Sequence, residues 1–142
     1  RTEDGLGRFH YKQYELRGMI KEIRSKKLTG YHLTTGRTIA HYNNAAQTKQ
    51  TEALMDRYSE DILLVCEEDA ADFPSEKVIL QTEYGKTNPL TIKLTDKVKP
   101  KTLFTTFHHA DSRINALFGD KCDELILTAA FKSIKVEVIP VH

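Results

Sequence analysis

The chain has no tryptophan, two cysteines and four prolines in 142 residues. Cys66 and Cys122 are too few and too far apart for a zinc or iron–sulfur ligand pattern, and a bridge between them stays open. Cys66 follows the apolar run Ile62-Leu63-Leu64-Val65 and reads as a buried small hydrophobe. Charge of either sign is not in excess: 21 Lys and Arg face 20 Asp and Glu, for a net charge of +1. Such a balance gives no electrostatic footprint for nucleic acid. No apolar run reaches membrane-spanning length, so no direct membrane insertion is expected. There is no signal peptide. The chain begins at Arg1 rather than Met, as expected of a piece excised from something longer, and compartment (cytoplasmic or periplasmic) is not written in it. G-x-S-x-G is missing, neither cysteine has a catalytic signature, and Tyr84-Gly85-Lys86 has too few glycines for a phosphate cradle. His41, His108 and His109 can meet in space, but no H-x-x-x-H helix or Cys partner supports a metal site.

What is there suits one domain with a real core. Hydrophobic residues make up 39% and charged ones 29%, as in ordinary globular proteins. Short strands are expected at 28–34, 62–66, 77–82, 90–98, 103–107 and 134–139, with Pro140 stopping the last. Residues 84–86 form a hairpin turn. Helical turns are expected at 51–58, at 67–73 (acids in the first turn, Pro74 after) and at 111–118, closed by Gly119. Residues 10–27 have apolar residues scattered without period and read as a connecting arm. No strand–helix–strand unit recurs, so the pattern is mainly β with short helices, in a closed or sandwich-like core.

One stretch, residues 34–48, is a poor core and a good lining for a polar, phosphate-bearing ligand. Gly36 supplies backbone freedom for a turn. Arg37 can fork onto phosphate oxygens together with nearby backbone N–H groups. Thr38, Asn43, Asn44 and Gln47 offer donors and acceptors for sugars and base edges. The stretch is short of apolar anchors, so packing alone is not expected to order it without ligand.

The run Leu33-Thr34-Thr35-Gly36-Arg37, with His41-Tyr42 and Thr48 after it, resembles the segment that opens the C-terminal dinucleotide-binding domain of molybdopterin-dependent oxidoreductases, most closely of formate dehydrogenase large subunits. Other segments match in family order. They are Thr2 to Phe9, Glu68-Asp69-Ala70-Ala71, Leu103 to His109, Asn115-Ala116-Leu117, and Phe131-Lys132 followed by Val136-Glu137-Val138. Glu3, the stretch Pro74-Ser75-Glu76 and Glu124 depart from the family pattern.

The resemblance implies a double-psi β-barrel over residues 28–142, preceded by a strand and arm over 1–27. It implies that Thr35, Gly36, Arg37, Thr38 and Ile39 wrap a molybdopterin guanine dinucleotide, with His41, Tyr42 and Asn43 continuing the contact. Tyr42 stands where the family often has Trp. His108 matches a strand-end position facing the pterin, Asn115 a cofactor-contacting Asn, and Lys132 a cation near the pterin or phosphates. The activity implied is two-electron oxidation of formate to carbon dioxide at molybdenum or tungsten, whose ligand would lie outside this chain. No catalytic residue and no metal ligand is expected within it. The implied partners are the rest of the large subunit and an iron–sulfur electron-transfer subunit. Nitrate reductase, a formylmethanofuran dehydrogenase-like enzyme and a non-enzymatic barrel module are the alternatives.

Overall fold

The computed structural model describes residues 30–43, 45–119 and 133–141. The expected arm at 1–27, Cys122 and Lys132 lie outside the described residues. Alternation of side chains builds the strands. In Lys77–Gln81, Val78 and Leu80 are fully buried while Ile79 is half-buried, the period of two that points alternate residues inward. The six strands among the described residues are β1 (Tyr31–Gly36), β2 (Leu63–Cys66), β3 (Lys77–Gln81), β4 (Leu90–Thr95), β5 (Thr102–Thr106) and β6 (Ser133–Pro140). They close into a barrel in the order β1-β5-β2-β4-β3-β6. The fold is a double-psi β-barrel with short helices.

Two neighbour pairs are parallel, β1 with β5 and β2 with β4, and the others are antiparallel. Parallel neighbours cannot be joined by a tight turn, so the chain must cross over. These directions bring the exits of β1, β3 and β5 and the entries of β2, β4 and β6 to one end of the barrel, and the connections 67–76 and 96–101 to the other. Every described residue expected from the sequence to meet a ligand lies at or just past the strand ends gathered at the first of these ends.

Leu33, Leu63, Val65, Leu103 and Val136 fill the interior with Val78 and Leu80. Ile114 and Leu117, from the connection after β5, belong to the same cluster. Cys66 is buried, as its apolar run requires. The far end is closed by polar contacts. Tyr31 packs edge-on against Phe73 at 5.1 Å. Its hydroxyl donates to Asp72 (2.6 Å), and the Lys101 ammonium donates to the same carboxylate (2.5 Å) and lies 3.3 Å from Asp69. Lys101 takes a left-handed φ of 59°, and its backbone N–H reaches Asp69 at 2.6 Å. Burial, then the bond to Asp72, pushes the Tyr31 phenol up to about 12.

Several expectations need correction. The helix expected at 67–73 is a 3-10 helix, Glu67–Asp72. The one expected at 111–118 is two 3-10 turns, Ala110–Ser112 and Ile114–Leu117, because Arg113 between them takes a left-handed φ of 55° that no continuous helix accommodates. Gly119 does not cap it. A Cβ there would meet the Tyr84 ring at 2.4 Å, so close packing explains the glycine. A true α-helix does form at Glu52–Arg57, here α1. Pro140 does not stop pairing. It stands opposite Val78, and the Val141 N–H still donates to the Lys77 carbonyl at 3.1 Å, so the missing proline donor breaks nothing essential. The hairpin at 84–86 is present: Gln81 bridges Lys86, and the Thr82 N–H donates to the Gly85 carbonyl at 2.9 Å.

Gly36 also has a different reason from the expected one. Its φ is not left-handed. A Cβ would lie 2.7 Å from the ring of Phe104 on the neighbouring strand. We expect Gly36→Ala to destabilise the chain by about 1 kcal/mol through overpacking. The same change in a Phe104→Ala background should cost nothing further, as read by urea unfolding. An undiminished penalty in that background would point back to the backbone.

Candidate functional site

The site is built where the connections leaving β1 and β5 meet. Asp61, two residues ahead of β2, is 2% exposed yet carries a carboxylate. Oδ1 accepts from the Thr106 hydroxyl and from the His108 N–H (3.0 Å). Oδ2 accepts from the His109 N–H (2.9 Å) and the Ser112 hydroxyl (2.7 Å). Burial alone would raise its pKa. The hydroxyls of Thr106 and Ser112 and the two N–H groups outweigh burial and hold it below the ordinary 3.8.

His108, thus placed, is buried and has every polar group engaged. The Thr38 N–H donates to Nε2 at 3.0 Å, so Nε2 is an acceptor. Nδ1 lies 2.9 Å from the Asn43 carbonyl, which can only accept, so Nδ1 carries the proton. The Lys49 ammonium donates to the His108 carbonyl. One ring therefore spans the loop from Thr38 to Asn43. His41 lies beneath it, 4% exposed, with ring centroids 5.0 Å from His108 and 5.7 Å from Tyr58. Its Nδ1 pairs with the Thr48 hydroxyl at 2.8 Å, while its buried Nε2 has no partner. His109 Nε2 lies 3.0 Å from the Tyr58 carbonyl and donates to it.

The loop is therefore better anchored than its polarity led us to expect. His41 and Ala45 are buried in it, and its other ties are hydrogen bonds rather than apolar contacts. Its tip faces outward. Arg37 is exposed, its guanidinium 6.0 Å from the Phe107 centroid. Ile39 is fully exposed, Tyr42 is 73% exposed, and Asn43 is exposed at φ 51°. Thr35 and Thr38 are half-buried beside them. Asn115 is exposed on the 3-10 turn Ile114–Leu117. The structure thus brings Thr38, His41, Asn43 and His108 into one network and leaves Arg37, Ile39 and Tyr42 on its rim. A hollow of about 800 Å³ lies elsewhere, between the Thr82–Tyr84 turn, Phe118 and the first half of β6, and none of these residues lines it.

A metal at the three histidines is disfavoured, since both nitrogens of His108 and Nε2 of His109 are occupied. Among the described residues no group of His, Cys, Asp or Glu is arranged to hold a metal ion. Nor is any described helix long and apolar enough to cross a membrane. Sequence reasoning missed Asp61, Lys49, Thr106 and Ser112. The one available signal was Thr105-Thr106 at the end of an apolar strand, since buried hydroxyls must find partners.

A closed barrel that gathers its long connections at one end, cation and aromatic outermost, is the architecture of a ligand-holding barrel domain. The chain belongs to the molybdopterin dinucleotide-binding domain family: the model for "Molydopterin dinucleotide binding domain" matches residues 31–135. It is 30% identical over 113 residues to the assimilatory nitrate reductase catalytic subunit of Bacillus subtilis (strain 168), covering 78% of this chain and 16% of that protein. It is also 30% identical over 112 residues to the F420-dependent formate dehydrogenase 2 subunit alpha of Methanococcus maripaludis, covering 75% of this chain and 16% of that protein. The F420-dependent formate dehydrogenase subunit alpha of Methanocaldococcus jannaschii is 26% identical over 142 residues, covering 97% of this chain and 20% of that protein. The chain thus spans a fifth or less of these relatives. Acetylene hydratase from Pelobacter acetylenicus shares the fold, with a TM-score of 0.67 at 14% identity over 92% of this chain and 21% of that one.

The network carries a pH dependence with a definite sign. Burial, the largest influence, holds the His108 imidazole below its ordinary 6.5. The unfolded chain therefore takes up the proton first. Stability from His108 is complete above 6.5 and is lost as pH falls from there through the lower folded value. Asp61 adds a second loss as pH drops below 3.8 through its depressed folded pKa. Urea unfolding from about pH 8 to 5 should show the first loss, and His108→Gln should flatten it. An unchanged slope in that variant would remove His108 as the source.

Proposed function

We propose that this chain is the cofactor-binding domain of a formate dehydrogenase large subunit, holding a molybdopterin guanine dinucleotide. The observation that carries the choice of formate is the M. jannaschii alignment over 97% of the chain. The family order of segments from Thr2 to Val138 supports it. Nitrate reduction is the second reading, and the B. subtilis relative, at 30% identity, favours it.

The residues at the loop end fit such a group. An exposed guanidinium suits an anionic phosphate, the exposed Tyr42 ring suits a flat heterocycle, and the exposed carboxamides of Asn43 and Asn115 suit base or pterin edges. The unpartnered Nε2 of His41 leaves a hydrogen-bonding group to be met. When bound, the cofactor's metal supplies the redox chemistry, formate giving carbon dioxide, a proton and two electrons. This chain's share is to bind and orient. In this reading Thr35 to Ile39 wrap the dinucleotide through backbone groups. Arg37 and Lys132 offset its charge, Tyr42 stacks, and His41 and His108 set the loop. The metal ligand belongs to the rest of the large subunit, and an iron–sulfur subunit takes the electrons.

Two outcomes are expected. The chain by itself, loaded with metal, should give no formate-dependent dye reduction, and turnover would overturn the division of labour. In the complete subunit, Arg37→Ala should weaken cofactor retention by about one to two orders of magnitude, the worth of a charge-assisted hydrogen bond. Arg37→Lys should recover part of it, since an ammonium lacks the planar fork. Unfolding of the barrel should barely move in either variant, an exposed loop cation contributing little to it. Full cofactor content in Arg37→Ala would end the assignment of this loop. Formate-dependent dye reduction against nitrate-dependent dye oxidation by the complete subunit separates the two substrates.

A further inference from the structure

We propose that Asp61 is the positioning residue of the ligand end, fixing through His108 the backbone of Thr38 and Asn43. The proposal rests on the reading of that loop as the cofactor loop. The Asp61 carboxylate gathers Thr106, His108, His109 and Ser112, all from the exit of β5, and so decides where the His108 Cα stands. The ring then reaches across to the Thr38 N–H and the Asn43 carbonyl. The two connections are tied again by Lys49 at the His108 carbonyl.

The donor set makes the carboxylate irreplaceable by its own amide. Each oxygen faces one hydroxyl and one backbone N–H. A hydroxyl can turn and accept, but an N–H cannot. Whichever way the amide of Asp61→Asn is flipped, its NH2 group points at a backbone donor, that of His108 or that of His109. An isosteric change should therefore push the β5 exit out of place. Asp61→Glu keeps charge and acceptors but adds a methylene, so it should partly restore the arrangement. The effect is passed on by a ring that is itself in a single tautomer, which gives a spectroscopic handle.

The test uses 15N-histidine NMR and amide exchange on this chain. In the wild type, His108 should show one neutral tautomer, protonated at Nδ1, and the Thr38 amide should be protected. In Asp61→Asn the tautomers should mix and Thr38 should exchange roughly tenfold faster or more, as for one lost hydrogen bond. Leu33, Val65 and Leu103 should keep their protection, and Asp61→Glu should fall between. If Asp61→Asn does not fold, Asp61→Glu decides by the same signals. A folded variant that keeps the single tautomer and wild-type Thr38 exchange overturns the proposal. Cofactor content of the complete subunit is read separately. If the NMR signature is lost and cofactor content stays full, the latch stands and the cofactor-loop reading fails. If both fall, both are supported.

Discussion

The ligand end depends on one neutral imidazole. His108 joins two connections that the sequence separates by 65 to 70 residues, accepting from Thr38 and donating to Asn43. It can do both only as the Nδ1-protonated neutral ring. A protonated ring would turn its acceptor into a donor and face the Thr38 N–H with another hydrogen. Burial helps here by disfavouring the charged form. The nearby Asp61 carboxylate pulls the other way, but its oxygens are already filled by four donors and it offers the ring no bond. The same four bonds that keep Asp61 ionised hold the strand exit on which His108 stands.

Barrel topology makes that meeting possible. β1 and β5 are parallel neighbours, paired from His32 with Thr102 to Gly36 with Thr106. Their exits therefore leave side by side at one end, and residues one or two past each strand are within reach across the gap. An antiparallel pair would have sent the two connections to opposite ends. The far end has no such need and is closed by compact turns around Tyr31, Asp69, Asp72 and Lys101.

Much of the barrel was legible in the sequence because burial imposes a period. Val78, Ile79 and Leu80 announced their faces, and the apolar run at 62–66 announced a strand. Short helices were less legible. Acids in a first turn favour any helix start, and they do not choose between i+3 and i+4 bonding, so the short helix expected at 67–73 came without its bonding pattern, which is 3-10. The left-handed Arg113 that divides 111–118 leaves no trace in residue type. At the site, the family resemblance marked His108, and polarity marked the loop. Asp61 was invisible because its partners are two backbone N–H groups and two hydroxyls far along the chain. Gly36 was found for the wrong reason, since a close aromatic neighbour and a left-handed turn select the same residue.

The described residues divide into a packed interior and an exposed rim. What holds this chain together is geometric: a barrel packed by aliphatic residues, a latch of His and Asp, and a loop held largely by its backbone. Holding the loop by backbone groups and by the buried His41 and Ala45 leaves Arg37, Ile39 and Tyr42 turned outward, with their side chains not needed for folding. In the proposed reading those outward groups meet a dinucleotide. In the same reading, substrate discrimination belongs to the groups around the metal in the rest of the large subunit, and this domain fixes where the cofactor lies.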